Sequence, residues 1–162
     1  MKRTLILTCA LLLILASFTG CEAIRSFVKG KTAAGIGEKA ESEKTHLDGA
    51  EMEYVSSSSE SLTVRIENRT DSTWQSGNMK DYQLEAEKDG EWYTVTPIKE
   101  IANTLELMLF APGEKLTHTF EFVERYGKLM PGKYRVVKSY WANATENIAA
   151  GEFYLVCEFT VE

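Results

Sequence analysis

The sequence predicts an all-β protein, two antiparallel sheets packed face to face in a sandwich of about seven strands. Three observations carry that expectation. Between Met52 and Val161, apolar and polar residues alternate in short runs with the two-residue period of half-buried strands. Turn residues, mainly Gly, Pro, Asn and Asp, separate the runs. No stretch beyond Ala50 sustains the 3.6-residue period of a long helix, and many short strands without helices pack as a sandwich.

Taken in order, Met52 and Tyr54 mark a weak first strand before the Ser56 to Ser59 break. Leu62, Val64 and Ile66 then point one way while Thr63, Arg65 and Glu67 point the other. Asn68-Arg69-Thr70-Asp71-Ser72 ends that strand, and Trp74 falls in the loop that follows. Tyr82, Leu84 and Ala86 alternate with Gln83, Glu85 and Glu87. Lys88-Asp89-Gly90-Glu91 predicts a tight hairpin, because Asp-Gly accepts the positive φ of the primed turns. The return strand, Trp92 to Thr96, stops at Pro97. Residues 98–110 leave open one strand or a loop with a helical turn. Pro112-Gly113-Glu114 turns the chain into a strand with Leu116, His118, Phe120 and Phe122 on one parity. After Met130-Pro131-Gly132 come a strand from Lys133 to Trp141, a polar loop from Asn143 to Gly151, and a last strand. In that last strand Phe153, Leu155, Cys157, Phe159 and Val161 share the apolar side.

The first 49 residues are of another kind. Lys2 and Arg3 precede an apolar stretch from Leu5 to Phe18, which Thr19-Gly20-Cys21 closes with small residues. The pattern resembles a bacterial lipoprotein signal, with Phe18 where such signals favour leucine. The resemblance implies that residues 1–20 are removed, that Cys21 is acylated, and that the protein sits lipid-anchored on the extracytoplasmic face of the cell membrane. Ordinary secretory cleavage and a retained anchor are the alternatives, but the apolar core falls short of the roughly 20 residues a spanning helix needs. Two or more acyl chains anchor stably, whereas one is marginal. Residues 21–49 carry Gly30, Gly35 and Gly37, balanced charges and few large apolar residues, and read as a flexible tether. Such a segment spans roughly 30 Å root-mean-square. Residues 50–162 then have the usual size of one domain.

Composition narrows the function classes. Beyond Gly49, 19 acidic side chains face 11 basic ones, and the chain as a whole has a formal net charge of −6. An acidic surface without a basic cluster argues against nucleic acid as a partner. Of three cysteines, Cys9 leaves with the signal and Cys21 takes lipid, so Cys157 stands alone, an apolar-parity thiol with no intramolecular disulfide. One histidine and one cysteine in the domain do not make a metal site, and no spaced acidic calcium loop occurs. His118 is the only domain histidine that could serve a nucleophile, and its parity places it half-buried in the core. No cofactor is expected.

Two phrases refine the fold. Tyr126-Gly127-Lys128-Leu129-Met130-Pro131-Gly132-Lys133-Tyr134-Arg135-Val136, preceded by Leu109-Phe110-Ala111-Pro112-Gly113-Glu114, resembles a bacterial immunoglobulin-like domain family found in Gram-positive surface lipoproteins. The resemblance covers Ala50 to Glu162 and implies an immunoglobulin-like sandwich in which Pro112, Gly113, Tyr126, Gly127, Leu129, Pro131, Gly132 and Tyr134 are architectural. Tyr134 is the candidate for a hydroxyl that bonds back to the preceding corner. Val136 stands where the second cysteine of an inter-sheet disulfide would fall.

The expectation is a membrane-anchored, non-catalytic binding or envelope-assembly module, not an enzyme. Its partners would be membrane lipid through Cys21 and an envelope protein or glycan. Asn143, Thr145, Glu146 and Asn147 form the candidate binding loop, and the aromatics Trp74, Trp92, Tyr93 and Trp141 are either core or corner packing, which a small disulfide-free sandwich needs, or flat rings that serve carbohydrate or protein partners. Two alternatives are a protease-inhibitor-like module presenting the Asn143 to Gly151 loop, and an envelope enzyme built around His118.

Overall fold

The computed structural model describes residues 34–41, 44–101 and 106–162. The signal segment, Cys21 and the first part of the tether lie outside the described residues.

Ten strands and one short helix occur among them: β1 (Ile36–Lys39), β2 (Ala50–Ser57), β3 (Ser61–Asn68), β4 (Trp74–Ser76), β5 (Gln83–Lys88), β6 (Glu91–Val95), β7 (Met108–Phe110), β8 (Lys115–Glu121), α1 (Val123–Tyr126), β9 (Gly132–Ala142) and β10 (Gly151–Val161). All pairings are antiparallel. One sheet has the order β2-β3-β8. The other runs β1-β6-β5-β9, and β9 is flanked by β10 on its far side. On its near side β9 pairs with β5 through residues 134–137 and with β4 through 141–142, and β7 pairs with β4. The excess over seven strands comes from short additions, β1, β4 and β7, too brief to show a period.

The runs named from the sequence become β2, β3, β5, β6, β8, β9 and β10. At the hairpin, Asp89 (φ 55°) and Gly90 (φ 82°) are both in the left-handed region, as a primed turn requires. Leu62, Val64 and Ile66 of β3 meet Phe120, His118 and Leu116 of β8 in register. Opposite them, Val136 faces Cys157 and Tyr134 faces Phe159 on β9 and β10. Fully buried side chains line this interface, and aromatic pairs fill it: Phe122 on Phe159 at 5.5 Å between ring centroids, Tyr140 on Phe153 at 5.6 Å, Tyr82 edge-on to Phe120 at 4.9 Å.

Two expectations need correction. Trp74 lies on β4 and is fully buried. Its indole N–H donates to Thr70 Oγ1 at 3.0 Å, and its ring packs on Phe110, Tyr140 and Phe153, so burial with a satisfied donor decides its place. The tether is also shorter than its composition suggests. β1 pairs with β6, Thr96 N donates to Gly35 O, Ala40 N to Trp92 O, and Tyr154 N to Thr45 O. Residues 34–41 therefore lie along the β6 edge and residues 44–49 along the β10 edge, strapping the outer face of the larger sheet from both sides. Beneath the strap lies Glu85, fully buried. Its carboxylate accepts from Arg135 Nε at 2.6 Å and Gln83 Nε2 at 2.8 Å, and pairs with Lys44 Nζ at 3.5 Å. The ion pair on the outer face makes polar residues of the strap part of the fold.

Candidate functional site

The Asn143 to Gly151 loop connects β9 to β10 at one end of the sandwich and is internally bonded. Thr145 N donates to Ile148 O at 2.9 Å, and Thr145 Oγ1 accepts from the backbone N–H groups of Asn147 and Ile148 at 3.2 and 3.1 Å. Asp71, 74 residues upstream of Thr145, accepts from Thr145 Oγ1 at 3.0 Å and Asn147 Nδ2 at 2.7 Å. These bonds, Asn147's first, hold the Asp71 carboxyl below its ordinary pKa. Ser72 Oγ donates to Asn143 O at 2.6 Å, and Asn143 N to Thr73 O at 3.1 Å. Asn143, Thr145 and Asn147 are thus committed to holding the loop on residues 71–73, while Glu146 is exposed. Sequence reasoning missed Asp71, which looks like any turn aspartate.

Below that loop, on the outer face of the larger sheet, register aligns one row of side chains across four strands: Leu109 on β7, Gln75 on β4, Trp141 on β9 and Glu152 on β10. Trp141 is 46 % exposed and Leu109 57 %, and Glu152 is exposed as well. Tyr154, half-buried, follows Glu152 on the same face. Its phenol is pushed up by burial, by its hydrogen bond to Glu152, and by the charges of Glu152 and Glu41. Beyond Tyr154 an open groove of about 500 Å³ runs between β10 and β2, lined by Ala50, Met52, Leu155 and Val156 and rimmed by Lys44, His46, Glu51, Glu53 and Arg69. Trp92 lies on the outer face too, beneath Arg135 at 4.4 Å and Lys133 at 5.3 Å from its ring centroid.

The motif residues sit at corners of the fold. Pro112 and Gly113 form the turn into β8: Gly113 has φ 80° and its N–H donates to Asn68 O at 2.7 Å. Tyr126, buried at the end of α1, donates its hydroxyl to Tyr82 O at 3.2 Å, and Gly127 (φ 75°) closes the helix through a bond to Val123 O. Leu129 is buried, with its N–H on Ser59 O at 2.8 Å. After Pro131 and Gly132, the Tyr134 hydroxyl donates to Met130 O at 2.8 Å and its ring stacks on Phe159.

Groups with chemical reactivity are enclosed. His118 packs edge-on against Phe120, and burial followed by the charge of Lys138 lowers its pKa. Lys138 is 2 % exposed, and burial lowers its pKa too. Burial pushes the free Cys157 thiol up to about 11. Among the described residues no group of three or more His, Cys, Asp or Glu side chains could hold a metal ion.

Two sheets in this arrangement, with a tyrosine at the corner into the penultimate strand and an exposed loop end, define an immunoglobulin-like β-sandwich. The profile of the bacterial Ig-like domain family matches residues 43–154, more than two thirds of the sequence, and the chain belongs to that family. No curated protein matches the chain. Family membership points to a non-catalytic surface or binding module.

Proposed function

We propose that this protein is a membrane-anchored extracytoplasmic lipoprotein, held by acyl chains on Cys21, whose bacterial Ig-like domain binds an envelope protein or glycan without catalysis. The observation that carries the binding role is the exposed row Leu109–Gln75–Trp141–Glu152, held on four paired strands beside a loop pinned by Asp71. Rigid strands presenting an exposed aromatic are suited to recognition, because little conformational freedom is lost on binding. The acidic surface disfavours nucleic acid. The lipid anchor is supported by the signal pattern ending in Gly20-Cys21, and it sets the working location at the membrane surface.

Two measurements test this reading. Metabolic labelling with a palmitate analogue should mark the wild-type chain in the membrane fraction, and Cys21→Ser should lose both label and membrane association. An unlabelled wild-type chain would overturn the anchor. Separately, the immobilised chain from Glu22 onward should retain one protein or glycan reproducibly from cross-linked envelope extract. Replacing Trp141 and the Asn143 to Asn147 loop together should abolish that retention, and specific retention of nothing would overturn the binding role.

A further inference from the structure

The outer face of the larger sheet carries two tryptophans, and they are treated differently. Over Trp92 the chain places its own cations: Arg135 and Lys133 lie against the indole, and each is neutralised by a carboxylate, Arg135 by Glu85 at 2.5 Å and Lys133 by Glu158 at 2.6 Å. A cation held over an indole and beside a carboxylate gains from both the ring quadrupole and the counter-charge. At the other end of the same face, Trp141 has a carboxylate directly across the strand pair in Glu152. Here no cation of the chain completes the set: Glu152 has the Tyr154 hydroxyl as a neutral hydrogen-bond partner, but among the described residues it makes no ion pair and Trp141 has no cation over its ring. Lys44, on the neighbouring strap, is engaged by Glu85 and lies over Tyr154.

We infer that the Trp141–Glu152 pair is a receptor for an arginine or lysine side chain of a partner polypeptide, which supplies the cation that Arg135 and Lys133 supply at Trp92. The row's other members specify a peptide over a small ammonium ion. From Glu152 across Trp141 and Gln75 to Leu109 is a distance of about 14 Å at the ordinary strand spacing, the reach of four or five extended residues. It begins at a carboxylate and ends on an exposed leucine, so an extended segment with a basic residue and, four positions on along the same face, an apolar one matches its order. The chain's net charge of −6 favours the approach of a basic segment. This inference rests on the binding-module reading and names the partner chemistry for it.

The test is a titration of the full mature chain, with Cys21→Ser for solubility, against a blocked pentapeptide with arginine first, leucine fifth and serine between, read on the three indole N–H resonances. The expected result is a saturable shift of the Trp141 resonance with those of Trp92 and Trp74 unmoved. Affinity should fall about tenfold in Trp141→Ala and about threefold in Glu152→Gln. Glu152→Lys, which puts a cation of the chain beside the ring, should abolish the shift. The same pentapeptide with glutamate in place of arginine should not bind. Shifts spread over the acidic surface, or affinity unchanged in Trp141→Ala and Glu152→Lys, would overturn the inference. So would a Trp141 response to phosphatidylcholine vesicles with none to the peptide, which would assign the site to a lipid headgroup. Retention of a partner from envelope extract that survives Trp141→Ala would overturn this site and leave the binding module standing.

Discussion

Asn68 looks in the sequence like the first residue of a solvent turn, and the structure buries it completely. Its Nδ2 donates to Ser72 O at 2.8 Å and Phe110 O at 3.0 Å, and its Oδ1 accepts from Thr70 N at 3.0 Å and Thr70 Oγ1 at 2.7 Å. One side chain therefore ties the end of β3 to β7 and to the turn that feeds Trp74. Asn68→Ala removes all four of these bonds; Ser72 O keeps the Thr70 hydroxyl at 3.2 Å, but Phe110 O and Thr70 N lose their side-chain partner, and unfolding free energy should fall by about 3 kcal/mol, measured by urea denaturation. Cys157 makes a second residue-scale expectation. Its thiol pKa, raised to about 11, keeps the sulfur neutral, so iodoacetamide at pH 8 should label it only in denaturant. Because the folded pKa is raised, the stability from the neutral thiol is complete below about pH 9 and is lost as pH rises through about 11. A thiol labelled at the same rate in native and unfolded protein would contradict this.

At the scale of the element, the β9–β10 loop depends on one carboxylate. Asp71 has a depressed pKa, so its contribution to loop docking is present above the ordinary aspartate value and lost as pH falls through the folded one. Protection of the Asn147 and Ile148 amides, measured against the intrinsic exchange rate at each pH, should fall on acidification while β9 stays protected, and Asp71→Asn should remove that pH dependence. Protection that is flat with pH in the wild type would assign the docking to Ser72 and Thr73 instead. The loop was legible in the sequence as a polar segment between two alternating runs. Its anchor was not, since the Asp71 contacts form between residues 74 and 76 positions apart. β4 shows the same limit in another form: a strand of three residues has no readable period, and only the ring contacts of Trp74 reveal that the segment is core.

For the whole molecule, the boundary of the domain decides stability. A chain begun at Ala50 lacks β1 and Lys44 and uncovers the Glu85–Arg135 pair, whereas one begun at Ala33 retains the compact unit. The shorter chain should be less stable by about 2–4 kcal/mol in urea, with weaker protection of β6 amides, since it loses a strand pairing and the cover over that ion pair. Equal stability of the two would show that the strap is dispensable. On the proposed lipid anchor the same boundary would govern reach, because each residue joined to the sandwich shortens the span between Cys21 and the domain.

The sequence by itself determined the class of fold. Burial of one face writes a two-residue period into each long strand, and Asp-Gly and Pro-Gly turns need only local φ preferences. It also marked the Tyr126 to Tyr134 corner, whose bonds to Tyr82, Ser59 and Met130 hold β9 in place. Tertiary structure alone decided which aromatics are core and which are surface, placing Trp74 inside and Trp141 outside although both stand beside polar loops. It alone brought Gln75, Leu109 and Glu152 into one row with Trp141, and turned polar residues of a nominal tether into a strap over Glu85. The reason is physical: a strand's own pattern records which face is buried, but not which strand lies next to it or what crosses its other face.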